Sequence, residues 1–295
     1  MDANQLRTEV RDFLVTRRGR ITPAEAGLPV YGGMRRVPGL RREELALLAG
    51  LSAEYLARLE RGNLRGVSES VLEALSRALR LTEAERAHLY DLARAANAGP
   101  GGRRTAVPQQ VRPGVQRILD SMTAPALVSN ARMDYLAANT LGRALYAPLF
   151  DSPVGVNAAR FLLLDPRGAD FYPDWDAAVD DVVALLRAQV ARAPYDETLS
   201  NLIGTLSTRS DVFRTRWARH DVRQHLTGTK RLHHPVVGDL DLRFETMELP
   251  ADPGLALLLY TAEPGSQSEQ ALTFLASWAT DRAAAEQPQT PTPRA

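Results

Sequence analysis

The chain contains no cysteine, which excludes disulfides, thiolate metal sites and thiol catalysis and fits a reducing compartment. Lysine is almost missing as well: all of the 36 basic residues are Arg except Lys230. That skew fits a GC-rich coding preference, so arginine as such assigns no chemistry. Long apolar runs are absent, and no stretch approaches the roughly 18 residues that cross a bilayer. The first residues, Met1-Asp2-Ala3-Asn4-Gln5, bring an acid and no apolar core, so no secretory signal is expected and the expected compartment is the cytoplasm. Catalytic signatures are also lacking. There is no nucleophile elbow, no His-Glu-x-x-His and no phosphate-cradling glycine loop before Lys-Ser or Lys-Thr. The expectation is a chain that is not an enzyme.

What is present has the composition of a globular protein, 44% apolar and 24% charged over 295 residues, a length that predicts two domains. The net charge of +1 hides an asymmetry. Residues 1–104 hold 18 Arg against 13 acids, and the remainder holds 18 basic residues against 22 acids. A polyanionic partner would therefore meet the N-terminal part.

Residues 3–18 read as a helix with Leu6, Val10, Phe13 and Leu14 on one face. A basic, Gly- and Pro-rich connection follows, then short helices at 42–49 and 53–61. Ser70-Val71-Leu72-Glu73 and Thr82-Glu83-Ala84-Glu85 each have capping-box spacing and open two more helices, the second ending near Asn97. This predicts an all-α domain over 1–98. Gly99-Pro100-Gly101-Gly102-Arg103-Arg104 marks a linker, taken as 99–109.

From 110 to 280 the pattern is α+β. A helix at Pro113–Met122 precedes strand-like runs at Ala126–Ser129 and Met133–Ala138. Helices are expected at 174–193, 196–206 and 210–220, the first striped by Trp175, Val179, Val182, Leu185 and Leu186. Beyond Thr229 the chain reads as strands, with Leu240, Leu242 and Phe244 alternating against Asp239, Asp241 and Arg243. Ser266-Gln267-Ser268-Glu269 caps a last helix to about Ala279. The tail 281–295, rich in Gln, Pro and Thr, is expected to be disordered.

The window Arg42 to Arg61 meets the demands of a helix-turn-helix. Leu45 and Ala49 face inward, Ala46 permits close contact, and Gly50 takes the turn without a Cβ penalty. Leu51 packs beneath, Ser52 caps the second helix, Leu56 and Leu59 continue the apolar face, and Gly62 ends it. Ser52, Ala53, Glu54, Tyr55 and Arg58 are then the residues presented to base edges of double-stranded DNA. Arg58 suits guanine and Glu54 suits a cytosine amino group. Arg35, Arg36, Arg41, Arg42 and Arg61 are read as phosphate contacts. A plain helical hairpin with a solvated face remains the bland alternative.

The run Val37-Pro38-Gly39-Leu40-Arg41-Arg42-Glu43-Glu44-Leu45, with Ala49-Gly50-Leu51-Ser52 and Leu59-Glu60-Arg61-Gly62, resembles the XRE, or lambda repressor-like, regulators. Phe171-Tyr172-Pro173-Asp174-Trp175, Trp217-Ala218-Arg219-His220-Asp221-Val222-Arg223, Gly228-Thr229-Lys230-Arg231 and His234-Pro235-Val236-Val237-Gly238 narrow the resemblance to the actinobacterial MmyB-like subgroup. The resemblance covers nearly the whole chain except the tail. It implies an N-terminal helix-turn-helix followed by a PAS-like ligand-binding domain, with a fatty-acid-like small molecule as the ligand and no other cofactor. XRE proteins often begin the first motif helix with a Gln that helps hold a phosphate; Arg42 stands there in this chain.

Read without the family, the second domain is an antiparallel sheet covered by helices, which can leave an apolar pocket between layers. Candidate lining residues are Leu127, Leu136, Tyr146, Phe161, Trp175, Phe244 and Tyr260, all of which also suit a plain core. Asn139 is either a head-group contact or a cap. Arg219, His220 and Arg223 either receive a carboxylate or pair with Asp221 and Asp211. Four histidines lie within 220–234, but their spacing does not suit metal ligation. The expected protein is a DNA-binding regulator, homodimeric by half-site logic, whose second domain answers to a small-molecule effector or to a protein partner.

Overall fold

The computed structural model describes residues 3–28, 39–98, 110–222 and 227–286. The linker 99–109, Arg35, Arg36, Arg223 and residues 287–295 of the expected tail lie outside them, while residues 281–286, expected to be disordered, continue the last helix. In chain order, helices α1 (Ala3–Arg20), α2 (Arg42–Ala49), α3 (Ala53–Glu60), α4 (Glu69–Ala78) and α5 (Glu83–Ala98) come first. Next are α6 (Pro113–Ser121), strands β1 (Ala126–Asn130) and β2 (Tyr135–Ala138), and the short helices α7 (Thr140–Leu145), α8 (Ala147–Phe150), α9 (Ala158–Leu164) and α10 (Arg167–Phe171). Helices α11 (Trp175–Arg192), α12 (Glu197–Arg209) and α13 (Asp211–Trp217) precede β3 (Thr227–His234), β4 (Gly238–Glu248), β5 (Leu255–Thr261) and α14 (Gln267–Glu286).

The chain forms two compact units, and they do not follow its linear order. One comprises Met1–Thr105 with Asp180–Gln224; the other comprises Ala106–Val179 with His225–Ala295. The second domain expected over 110–280 therefore gives up 45 residues to the helical unit.

In the helical unit α1 buries the expected face, with Leu6, Val10, Phe13 and Leu14 all under a tenth exposed. They meet Leu45, Ala46 and Ala49 of α2, Leu56 and Leu59 of α3, Leu72 and Leu75 of α4, and Leu89 and Leu92 of α5. Each fully buried Leu or Phe contributes about 1.5–3 kcal/mol of transfer free energy. Ala191 of α11 and Val222 join the same core. The Thr82–Glu85 capping box forms in both directions, at 2.9 and 3.3 Å. The cap placed at Ser70 lies instead at Ser68, whose hydroxyl accepts from the Val71 amide. Both serines precede an apolar run, and the earlier one starts the helix, leaving Ser70 inside its first turn.

In the other unit five strands form one antiparallel sheet in the order β2-β1-β5-β4-β3. Strand alternation divides its residues between faces. Leu119 of α6 packs on one face with Ala126, Val128, Leu255 and Leu257. On the opposite face the register aligns Leu127 with Leu258 and Phe244 with Tyr260. Leu240, Leu242 and Phe244 are buried while Asp239, Asp241 and Arg243 are exposed, the alternation read from the sequence.

Candidate nucleic-acid interface and ligand domain

The geometry of the helix-turn-helix follows from its residues. Gly50 closes α2 at φ 65°, a left-handed conformation suited to glycine, and its neighbourhood leaves room for the turn. Ser52 then caps α3, its hydroxyl accepting from the Tyr55 amide at 3.1 Å. At the far end Gly62 adopts φ 85°, and a Cβ there would lie 2.2 Å from the Arg7 carbonyl oxygen. Backbone of α1 and the end of α3 thus touch at a position that only glycine fits.

With Leu56, Leu59 and Glu60 turned inward, α3 presents Glu54, Arg58 and Arg61 outward, flanked by Tyr55 and Ala57. Glu54, Arg61 and Ser52 are exposed; Ala53, Tyr55 and Arg58 are half-buried. The Arg58 guanidinium lies 4.8 Å from the Tyr55 ring centroid, and its Nε is buried without a hydrogen-bond partner. Arg41 is exposed at the start of α2, where its amide donates to Glu44 Oε2 at 2.7 Å.

Glu60, 3% exposed, is the ionic anchor of the motif. One carboxylate oxygen accepts from Arg18 Nε of α1 at 2.6 Å, and the other from Arg42 Nε at 2.7 Å. Arg42 remains about half exposed, so its outer nitrogens still face solvent. Beside it a groove of about 690 Å³ runs between α1 and α3, lined by Arg11, Asp12, Arg18, Arg42, Glu60 and Arg61.

The helical unit also encloses a polar centre. Arg187 of α11 is fully buried and donates to Glu9 of α1 and to the Trp217 carbonyl. It lies 2.8 Å from His220 Nδ1, and its guanidinium covers the Trp217 ring at 4.1 Å. Burial alone would raise the Glu9 pKa, but the hydrogen bond to His220 and the charge of Arg187 prevail and hold it at about 2. His88 is 1% exposed, and burial drives it down to about 3, so it is neutral. Arg17, also buried, pairs with Glu85 at 2.8 Å and donates to the His220 carbonyl.

This centre corrects the expected roles of Arg219 and His220. Both lie in the helical unit, apart from the sheet residues proposed to line a pocket with them. His220 turns to Arg187 and Glu9, and the Arg219 carbonyl accepts from Arg20. Asp221 and Asp211, offered as their partners, pair with Arg20 and Arg214. The expected stripe on α11 is also shifted: Val179 and Leu186 are buried together with Val183, Ala184 and Arg187, while Val182 and Leu185 are half-exposed.

Among the sheet unit's candidates, Tyr146, Phe161, Phe244 and Tyr260 come together. Tyr146 donates to the Tyr260 hydroxyl at 2.8 Å, and their rings are 5.6 Å apart. Phe244 stands 6.4 Å from Tyr260, and Phe161 joins through Phe171, 5.7 Å from each of Phe161 and Tyr146. Tyr135, Phe171 and Tyr172 complete this cluster, and the sequence reading did not include them. Burial pushes Tyr135 up to about 12 and holds the hydroxyls of Tyr146, Tyr172 and Tyr260 well above their ordinary value, so all stay protonated. Lys230, the sole lysine, places its Nζ 5.7 Å from the Tyr172 ring and 5.8 Å from the Phe244 ring. Its uniqueness, and the quoted motifs holding Tyr172 and Lys230, were the available signals.

Three other candidates stand apart. Leu127 is buried on the cluster's face of the sheet, but Leu136 packs with Leu119 and Val128 on the α6 side, where a β-bulge in the β1–β2 pairing turns it. Trp175 donates its indole N–H to the Leu162 carbonyl at 3.0 Å. Asn139 caps α7: Oδ1 accepts from Gly142 and Ala126, and Nδ2 donates to Met122 and Ala124 carbonyls. Its amide is fully engaged, as a cap requires. His233 pairs with Asp239 at 2.6 Å, and buried His234 bonds the Ala144 carbonyl.

A helix-turn-helix domain model matches residues 16–89, and the model of the MmyB-like transcription regulator ligand binding domain matches residues 111–275. No curated protein matches the chain. The two matches together describe a DNA-binding transcription regulator with a ligand-binding domain. The second match alone spans more than half of the sequence, and the chain belongs to the MmyB-like transcription regulators.

Proposed function

We propose that this regulator reads a specific duplex through α3 and answers to a small lipid-like or carboxylate-bearing molecule in its sheet unit. The observation that carries the DNA reading is Arg58, half-buried and stacked on Tyr55, on a helix whose N-terminus is capped by Ser52. A guanidinium held by its flat face keeps its edge for a guanine. Ser52, Ala53, Glu54 and Tyr55 occupy the N-terminal turn that approaches the bases, and Ser52 and Ala53 are small enough for close approach. Arg35, Arg36, Arg41, Arg42 and Arg61 hold phosphates. The active form is a homodimer spanning two half-sites about one helical turn apart, acting in the cytoplasm without catalysing a reaction.

For the ligand, the support is chemical. Protonated tyrosine hydroxyls and one ammonium border an aromatic cluster on one face of the sheet. Such a set suits an apolar body ending in a carboxylate. Tyr146 and Tyr260 are fully packed, so entry requires their rings to part. A protein partner in place of a small molecule is the second reading.

Two measurements test this. Selection from random duplexes is expected to enrich one pseudo-palindromic sequence, and enrichment of none overturns base reading. Native against denaturing mass spectrometry of freshly purified protein is expected to show an added mass that denaturation removes. A clean mass, with no thermal shift by decanoate, favours the protein partner.

A further inference from the structure

Residues 180–224 lie inside the stretch that matches the ligand-binding family model, yet they pack as part of the DNA-reading unit. At one end the segment continues α11, which starts at Trp175; at the other it runs on to β3. It is therefore an arm joined at both ends to the ligand unit's chain and folded into the reader.

Its attachment is ionic as well as apolar. Arg187 binds Glu9, Arg17 donates to the His220 carbonyl, and Arg20 meets Asp221 at 2.5 Å. Glu9, Arg17 and Arg20 all sit on α1. The next residue of α1 after Arg17, Arg18, holds Glu60 at the end of α3, and Glu60 holds Arg42 at the start of α2. A buried ion pair is seldom the most stabilising filling for a core, since apolar residues of equal volume often do as well or better. What it adds is a fixed geometry between the elements that it joins.

We infer that the arm 180–224 positions the recognition helix through α1, with Arg187 as the positioning residue and Arg18–Glu60 as the link to α3. Ligand occupancy then reaches DNA through the set of α1 against α3. This rests on the reading of α3 as the base reader.

The test uses the full chain, with Arg187→Met and Arg187→Lys, on the selected duplex and on a random duplex across a salt series. A coupling of this kind is expected to weaken the selected duplex by about tenfold and the random one by less than about twofold, with the salt slope unchanged. Amide exchange over Leu56–Glu60 rises in the same variants. Equal loss on both duplexes in step with a lost folded fraction makes the arm mere packing and overturns the inference. Unchanged affinity does the same. If Arg187→Met does not fold, Arg187→Lys, which keeps the charge and loses the fork, is read identically, and so is the exposed pair variant Arg20→Ala. If the wild-type chain prefers no duplex, base reading has failed instead, and exchange over α3 still decides whether the arm positions it.

Discussion

Arg58 lies over the ring of Tyr55, 4.8 Å from its centroid and one helical turn further along α3. The stack restrains a long side chain, so less rotamer freedom would be lost on binding a base. Tyr55 in turn has its amide on the Ser52 hydroxyl. Cap, ring and guanidinium form a short series along the outward side of the helix.

Arg58→Ala is expected to cost about 1–3 kcal/mol on the selected duplex and to relax preference at one base pair. Tyr55→Leu, which removes only the stack, is expected to cost less at that same base pair. Titration against single-base variants of the duplex reads both. Equal weakening on random DNA would count against base reading by Arg58.

For Arg41 and Arg61 the expected behaviour is different. Replacing either by Ala weakens all sequences alike and reduces the salt slope by about one. A loss confined to the selected duplex would move that residue from the phosphates to the bases.

Gly62→Ala is expected to destabilise the helical unit by about 3 kcal/mol, from a left-handed φ and a clash with backbone. The clash is with Arg7, at 2.2 Å. Gly66, at φ 71° but with open space around its Cβ position, is the control and loses only the conformational part. Urea midpoints of the two variants separate these contributions. Equal midpoints would mean that α1 can retreat from the end of α3.

Acid is expected to loosen the helical unit in two stages. His88 titrates near 3 in the fold against 6.5 in the unfolded chain, so between those values only the unfolded chain binds the proton, and stability falls as pH falls. At pH 5 this amounts to about 2 kcal/mol relative to neutral pH. Glu9, held at about 2 against 4.5, adds a further loss below about pH 4.5. The charged groups facing His88 are Glu9, Arg17 and Arg187, with His220 beside them. His88→Leu is expected to flatten the melting temperature between pH 7 and 5 relative to wild type. An unchanged slope would show that His88 is protonated in the fold.

In the sheet unit, Lys230→Met is expected to weaken decanoate binding by about tenfold, the worth of one charge-assisted contact. Tyr146→Phe removes a hydroxyl and is expected to act in the same direction. A thermal shift by decanoate that survives both changes would place the ligand elsewhere.

Much of the reader was legible in the sequence because its constraints are local. Gly50, Ser52 and the Leu56–Leu59 spacing each specify a turn, a cap or a buried face within a few residues. The short helices α7 to α10 were not, since four to seven residues hold too little periodicity to distinguish them from loops. The packing of the arm with the helical unit was not legible for another reason. Arg187 looks like a surface residue on its helix, and its partner Glu9 is 178 positions away, a pairing that no local pattern encodes. His220 was noticed for its chemistry but placed with the wrong neighbours, because sequence proximity to the strands suggested the sheet. Leu136 was placed among the pocket candidates, and a bulge in its strand pair, which no sequence pattern marks, puts it on the α6 side.

The discontinuity of the helical unit bears on how such regulators can be recombined. A graft cut at the glycine-rich stretch near residue 100 would carry α1 to α5 and leave behind Ala191, Val222 and Arg187. Glu9 would then keep its charge without its counter-ion, and the apolar surface under the arm would be open to water. An exchange of the reader that keeps this core intact has to move two segments of gene, not one.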